Sequence, residues 1–287
     1  APDSLEQLLE ETRRALAFDF LYLTDEAGDV VASARSLTDG RRRTDWPIVV
    51  SALAGSPATA IDIFSGEDLA AISPDLAAQA RIELVPTTNA VPTDRSEETR
   101  GMVVHSASPA ALGDGETGAL VGGVLLNRNL EFIDTINDLV YREASLPEGS
   151  QGTATLFVDD VRISTNVRLF EGRRALGTRV SAIVRSAVLD KGRTWLDSAF
   201  VVNDWYVSAY EPIVDSHGKR VGMLYVGCLE APFTEAKRET LLTILLAFLA
   251  IAMVSVPVFL RWAGSIFLPL ERMTGTIARV ESGDLGA

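Results

Sequence analysis

Cysteine is almost absent from these 287 residues: Cys228 stands alone, so no internal disulfide can form. Histidine is nearly as scarce. His105 and His217 have no cysteine partners and no ligand-like spacing, which argues against a structural zinc site. Positive charge is short as well, 26 Lys and Arg against 39 Asp and Glu, for a net charge of −13. After Leu260, Arg261, Arg272 and Arg279 balance Glu271, Glu281 and Asp284, so the whole excess lies in residues 1–240. Such an acidic body argues against nucleic acid as a partner and against adsorption to anionic lipid. Missing too is any nucleophile–base pair. Ser106 beside His105 is only adjacency, because strand neighbours face opposite sides. Asp159-Asp160 reads as a turn, DEAGD (25–29) lacks the full calcium-loop pattern, and no cofactor is called for. GDGETG (113–118) has the glycine spacing of a dinucleotide loop, yet ALVGGVLL after it is strand-like, so it reads as a hairpin turn.

What the chain does have is one run without charge, residues 241–260 (LLTILLAFLAIAMVSVPVFL). As a helix it is about 30 Å long, enough to cross a bilayer's hydrocarbon core. The hydroxyls of Thr243 and Ser255 can bond back to the helix's own carbonyls, and Arg261 and Trp262 suit the headgroup zone. A transmembrane helix is predicted over 240–262, with residues 1–240 on one side and a short tail on the other.

The body reads as α+β. An amphipathic helix carries Leu5, Leu8, Leu9 and Leu16. Strands at 18–23 and 30–34 flank DEAGD, helices follow around 46–54 and 66–80, and 86–100 is loop. Strands at 102–107 and 119–126 and a helix at 130–141 close this set, and 145–152 is a linker. A second set has strands at 153–158 and 161–166, a helix at 180–189, and strands at 194–202, 205–214 and 220–229. The two sets share a pattern of strand, acidic turn, strand, and later a Gly-bearing apolar strand. The sequence therefore predicts a long N-terminal helix (1–17) followed by two tandem antiparallel-sheet modules, 18–144 and 151–232.

In WYVSAY the alternation places Tyr206, Ser208 and Tyr210 on one face. Met223 and Tyr225 share a face of the last strand, and Arg162 and Ser164 a face of the hairpin. With Trp195, these hydroxyls, rings and one arginine suit a small ligand, such as an organic anion. Aromatic residues also fill ordinary sheet cores, and Arg162 could simply pair with an acid. In the first module His105 and the 86–100 loop are the equivalents.

In the tail, Leu270, Met273, Ile277 and Val280 fall at i, i+3, i+7 and i+10, an a/d seam. Pro269 can start a helix there and Gly283 can end it. So short a helix is marginal alone, so the seam implies a partner, most simply the same helix of a second chain.

Pro269-Leu270-Glu271, the seam and Gly283-Asp284-Leu285 resemble the first helix of a HAMP linker (266–287), the module after the last membrane helix of bacterial sensor kinases and chemoreceptors. The body resembles tandem Cache (PAS-like) sensor domains, through GALVGGVLLNRN, GTATLFVDDVRISTNV, RALGTRV and NDWYVSAYEPIVDSHGKRVGMLYVG. Where the amino-acid-sensing subfamily carries a tyrosine, Arg193-Thr194-Trp195-Leu196 has leucine. The resemblance implies a homodimeric receptor in the bacterial inner membrane with a periplasmic sensor that binds a small molecule. It also implies a membrane helix before Ala1 and a cytoplasmic output after Ala287, most simply a histidine kinase. A chemoreceptor, a nucleotide cyclase, or an anchored binding protein without catalytic output are the alternatives.

Overall fold

FLYLT forms a strand buried at every position, which requires cover on both faces. Phe20 and Tyr22 enter one apolar core; Leu21 and Leu23 pack with Leu9 of the N-terminal helix in another. The computed structural model describes all residues except 1, 36–42, 114, 143–145, 147–149, 151, 170–171, 203 and 282–287, and the backbone alone for 2–4 and 266–281.

In chain order the N-terminal elements are α1 (Pro2–Ala15), β1 (Phe20–Thr24), β2 (Val30–Ser33), α2 (Pro47–Leu53), β3 (Ala58–Phe64), α3 (Gly66–Ile72) and α4 (Pro74–Ala80). The short pair β4 (Ile82–Glu83) and β5 (Glu97–Glu98) follows, then β6 (Gly101–Gly113), β7 (Glu116–Leu125) and α5 (Leu130–Val140). Next come β8 (Gly152–Val158), β9 (Val161–Thr165), α6 (Ala182–Arg185), β10 (Trp195–Val201), β11 (Asp204–Val214), β12 (Arg220–Leu229) and α7 (Ala231–Glu281).

Two five-stranded antiparallel sheets result, ordered β2-β1-β7-β6-β3 and β10-β11-β12-β8-β9. Counted along the chain within each sheet, and with the second read from its β9 edge, both run second, first, fifth, fourth, third. The internal repeat in the sequence is thus matched by a shared strand order. The first sheet packs α2, α3 and α4 on one face through Val49, Leu69 and Leu76. A further core, with Ile82, Met102, Ile133, Leu156 and Ile163, joins the two sheets around α5.

Several expectations need correction. The N-terminal helix is short, 14 residues, or about 21 Å. The helix expected over 66–80 is two, because Ser73 is extended (φ −164°, ψ 132°) before Pro74, ending α3 and capping α4. Strand β3 had no counterpart in the sequence reading. The 180–189 helix is a four-residue α-helix followed by a π-helical turn over Ser186–Asp190.

The chain divides into two units, Ala1–Glu230 and Ala231–Ala287. The second contains α7, 51 residues long. Its apolar part, Ala231–Ser265, has a mean hydropathy of 2.6 and is long and apolar enough to cross a membrane. Neither Pro257 nor Pro269 interrupts it, so no separate tail helix starts at Pro269. The seam residues Leu270, Met273, Ile277 and Val280 lie on this helical backbone, but their side chains, like Gly283-Asp284-Leu285, fall outside the described residues.

Candidate functional site

β8 and β9 form a tight hairpin, turning at Asp159 (φ +48°). Phe157 stands opposite Arg162, but Leu156 stands opposite Ser164, so Ile163 is an extra residue, a β-bulge. The bulge breaks the alternation. Arg162 goes with Phe157 toward the core that also holds Tyr210 and Val184, whereas Ser164 goes with Leu156 toward the core between the sheets. Ser164 Oγ donates there to the Asn129 carbonyl (2.8 Å). The expectation that Arg162 and Ser164 share a face is therefore wrong.

Across the sheet Trp195 stands opposite Tyr210, so both point to the side on which Arg162 lies. These residues line a cavity of about 660 Å³, with Val180 and Val184 beside them and Thr87 and Asn89 from the loop before β5. That loop is fixed to the α6 region: the Ala182 N–H donates to the Asn89 carbonyl (2.7 Å) and the Arg179 N–H to Thr87 Oγ1 (3.0 Å). Arg179 is itself paired with buried Asp160 at 2.6 Å.

Arg162 differs. It is 3% exposed, and its Nε and Nη1 have no hydrogen-bond partner among the described residues. The guanidinium sits 5.2 Å from the centroid of the Phe157 ring, a contact worth about 0.5–2 kcal/mol. Burial pulls its pKa below the usual arginine value, partly opposed by the surrounding Tyr210, Tyr225 and Tyr206. A guanidinium stays protonated even so. The indole Nε1 of Trp195 is likewise buried without a partner. The cavity wall therefore holds unfulfilled hydrogen-bond donors and a buried positive charge, an arrangement that accepts an anion.

The other expected site residues lie elsewhere. Tyr225 is fully buried, its hydroxyl 3.0 Å from Thr153 Oγ1, and burial pushes its pKa up to about 12. Ser208 and Met223 are core residues; Ser208 Oγ donates to the Tyr206 carbonyl (3.1 Å). Tyr206 lines a second cavity, of about 730 Å³, with Asp134 and Tyr141. Val180 and Val184 were not among the sequence candidates, and Thr87 and Asn89 entered only as part of the 86–100 loop grouped with His105. The signal that could have found them is Ser181, a helix-capping residue just ahead of an apolar segment.

In the first sheet His105 is buried against the edges of Trp46 and Phe64. Its Nε2 donates to Asp62 Oδ2 (2.6 Å), whose Oδ1 accepts from the backbone and hydroxyl of Ser216 (3.0 and 2.8 Å). Burial opposes ionisation of Asp62, but the bonds from His105 and Ser216 outweigh it and hold the pKa below the usual aspartate value. Ser216 lies in the β11–β12 turn, so this cluster ties the second sheet to the first. His105 does not reach the Arg162 cavity, whereas part of the loop grouped with it does. Among the described residues no cluster suited to a metal ion occurs.

Residues 124–240 match the family described as Single cache domain 3. They contain β8 to β12, α6, and with them Arg162, Trp195 and Tyr210. This stretch of the chain is similar to Cache sensor domains. No curated protein matches the chain. Among solved structures, it is similar to the sensor domain of the histidine kinase DctB of V. cholerae, at 13% identity and a TM-score of 0.36, covering 79% of this chain and 78% of that one. It is similar too to the ligand-binding domain of the Pseudomonas aeruginosa PAO1 amino acid chemoreceptor PctB in complex with L-Arg, at 15% identity and 0.34, covering 79% and 77%. The ligand-binding domain of the Pseudomonas fluorescens chemoreceptor CtaA in complex with L-leucine matches at 15% identity and 0.31, covering 79% and 77%. At such identities and scores nothing about a ligand transfers from these proteins to this chain.

Proposed function

We propose that this chain is the extracytoplasmic ligand-sensing and membrane-spanning portion of a bacterial signalling receptor, with the cavity at Arg162 as its ligand site. The observation that carries this reading is a buried guanidinium without a partner, on the wall of a cavity, inside the Cache region. The shared strand order of the two sheets supports two tandem Cache modules, with the membrane-proximal one, 151–232, holding the ligand. In this reading α1 is a signalling helix, residues 240–262 of α7 cross the inner membrane, and 266–287 begin a HAMP linker that pairs in a homodimer. The output after it is a histidine kinase. β12 ends at Leu229 and α7 starts at Ala231, so the strand beside the site runs directly into the membrane helix. A ligand shifts such a receptor only by its differential affinity for two states.

The test is a thermal-shift screen of small organic anions on the full chain in detergent micelles. A ligand at ~100 times its Kd adds about 2.7 kcal/mol, and Arg162→Met should remove that gain. No stabilisation by any anion, or one that survives in Arg162→Met, would overturn the assignment of the site.

A further inference from the structure

We infer that the cavity at Arg162 selects a singly charged organic acid with an apolar body, a monocarboxylate, over α-amino acids and dicarboxylates. This rests on the reading of the cavity as the sensor's ligand site, and it follows from charge accounting along the wall.

Two charged residues line the cavity among the described residues, Arg162 and Arg179, both cations. Arg179 is already engaged: Nη2 donates to Asp160 Oδ2 (2.6 Å) and Nη1 to the Val91 carbonyl. Of these two cations Arg162 has donors to give, through Nε and Nη1, and Trp195 Nε1–H adds a third. A carboxylate offers two acceptor oxygens, enough for a guanidinium fork and an indole N–H.

A second charge finds no counterpart. An α-ammonium group needs a carboxylate or several strong acceptors once it leaves water, and among the described residues no Asp or Glu lines the cavity. Three neutral acceptors on the wall are already in use: Thr87 Oγ1 accepts from Arg179 N, the Asn89 carbonyl from Ala182 N, and Ser181 Oγ from Val184 N. A second carboxylate meets the same difficulty, since among the described residues of the wall no second cation is free. Val180, Val184, Phe200 and Val201 line the same space, which suits a hydrocarbon tail.

The experiment compares hexanoate, hexanamide, norleucine and adipate on the full chain in micelles, by thermal shift and calorimetric titration. These differ from hexanoate only by losing the charge, adding an ammonium group or adding a second carboxylate. Hexanoate is expected to bind at least tenfold more tightly than each of the others. Arg162→Met should abolish hexanoate binding, and Trp195→Phe, which removes one N–H from a ring, should weaken it several-fold. Should Arg162→Met not unfold cooperatively, Trp195→Phe and the hexanamide comparison decide. Norleucine or adipate binding within threefold of hexanoate, and depending on Arg162, would overturn the monocarboxylate class while leaving the ligand site standing. No binding by any monocarboxylate from acetate to octanoate would overturn the class. Binding of hexanoate that Arg162→Met leaves unchanged would overturn both.

Discussion

Replacing Arg162 by methionine should stabilise the ligand-free protein, an unusual result for a core substitution. The guanidinium is 3% exposed, and two of its nitrogens are buried without acceptors. Leaving such groups unmet costs about 1–3 kcal/mol for each, more when charged. Methionine has a similar length and no such need. Against this stands the loss of the Phe157 contact, about 0.5–2 kcal/mol. The balance favours Arg162→Met by roughly 1–3 kcal/mol, in line with other replacements of buried ions by apolar side chains. At about 2–4 °C per kcal/mol for a body of this size, Tm should rise by several degrees. Circular dichroism during thermal unfolding of both proteins, purified free of small molecules, measures this. A fall in Tm would mean that the fold itself satisfies Arg162, and the argument for a missing anion would fail.

Asp62→Asn should weaken the tie between the sheets by about 1.5–3 kcal/mol, the usual worth of hydrogen bonds to a charged group. Because the folded pKa of Asp62 is depressed, its contribution is complete above the unfolded aspartate value. It is lost as pH falls from about 4 through the folded value. Urea midpoints of wild type and Asp62→Asn should therefore differ at pH 7 and converge at low pH. Gly222→Ala should cost at least about 2 kcal/mol, since a Cβ there would lie 2.0 Å from the Phe157 carbonyl oxygen; an unchanged urea midpoint would contradict the tight β8–β12 register. Ser65 and Asp68 form a reciprocal capping box at the start of α3, so Ser65→Ala should lower stability by about 1 kcal/mol, read from the same midpoints.

Strands were legible where apolar alternation was strong, as in β1, β8, β11 and β12, because burial of one or both faces leaves a direct trace in residue order. β3 was not, although ATAIDIF alternates, because its neighbours read as helices and the strand sits at a sheet edge. The bulge at Ile163 carries no turn residue, so nothing in VRIST warned that Arg162 and Ser164 part company. Arg162 itself was legible as an arginine in an apolar strand. That it lacks a partner was not, since the acid that might have met it, Asp160, is held instead by Arg179, whose segment pairs with the hairpin at Val161. The same long-range folding brings Thr87 and Asn89 to the second sheet, a placement that no local pattern encodes.

The central claim, that an anion belongs at Arg162 and Trp195, is tested most directly by nuclear magnetic resonance of the tryptophan indoles. The chain has 4 tryptophans, so an indole-labelled sample gives a spectrum simple enough to assign by Trp195→Phe. On saturation with hexanoate, the Trp195 Nε1–H signal should move downfield as it gains an acceptor, and in Arg162→Met it should stay still. A Trp195 signal that does not move while hexanoate binds, or that moves equally in Arg162→Met, would contradict the account.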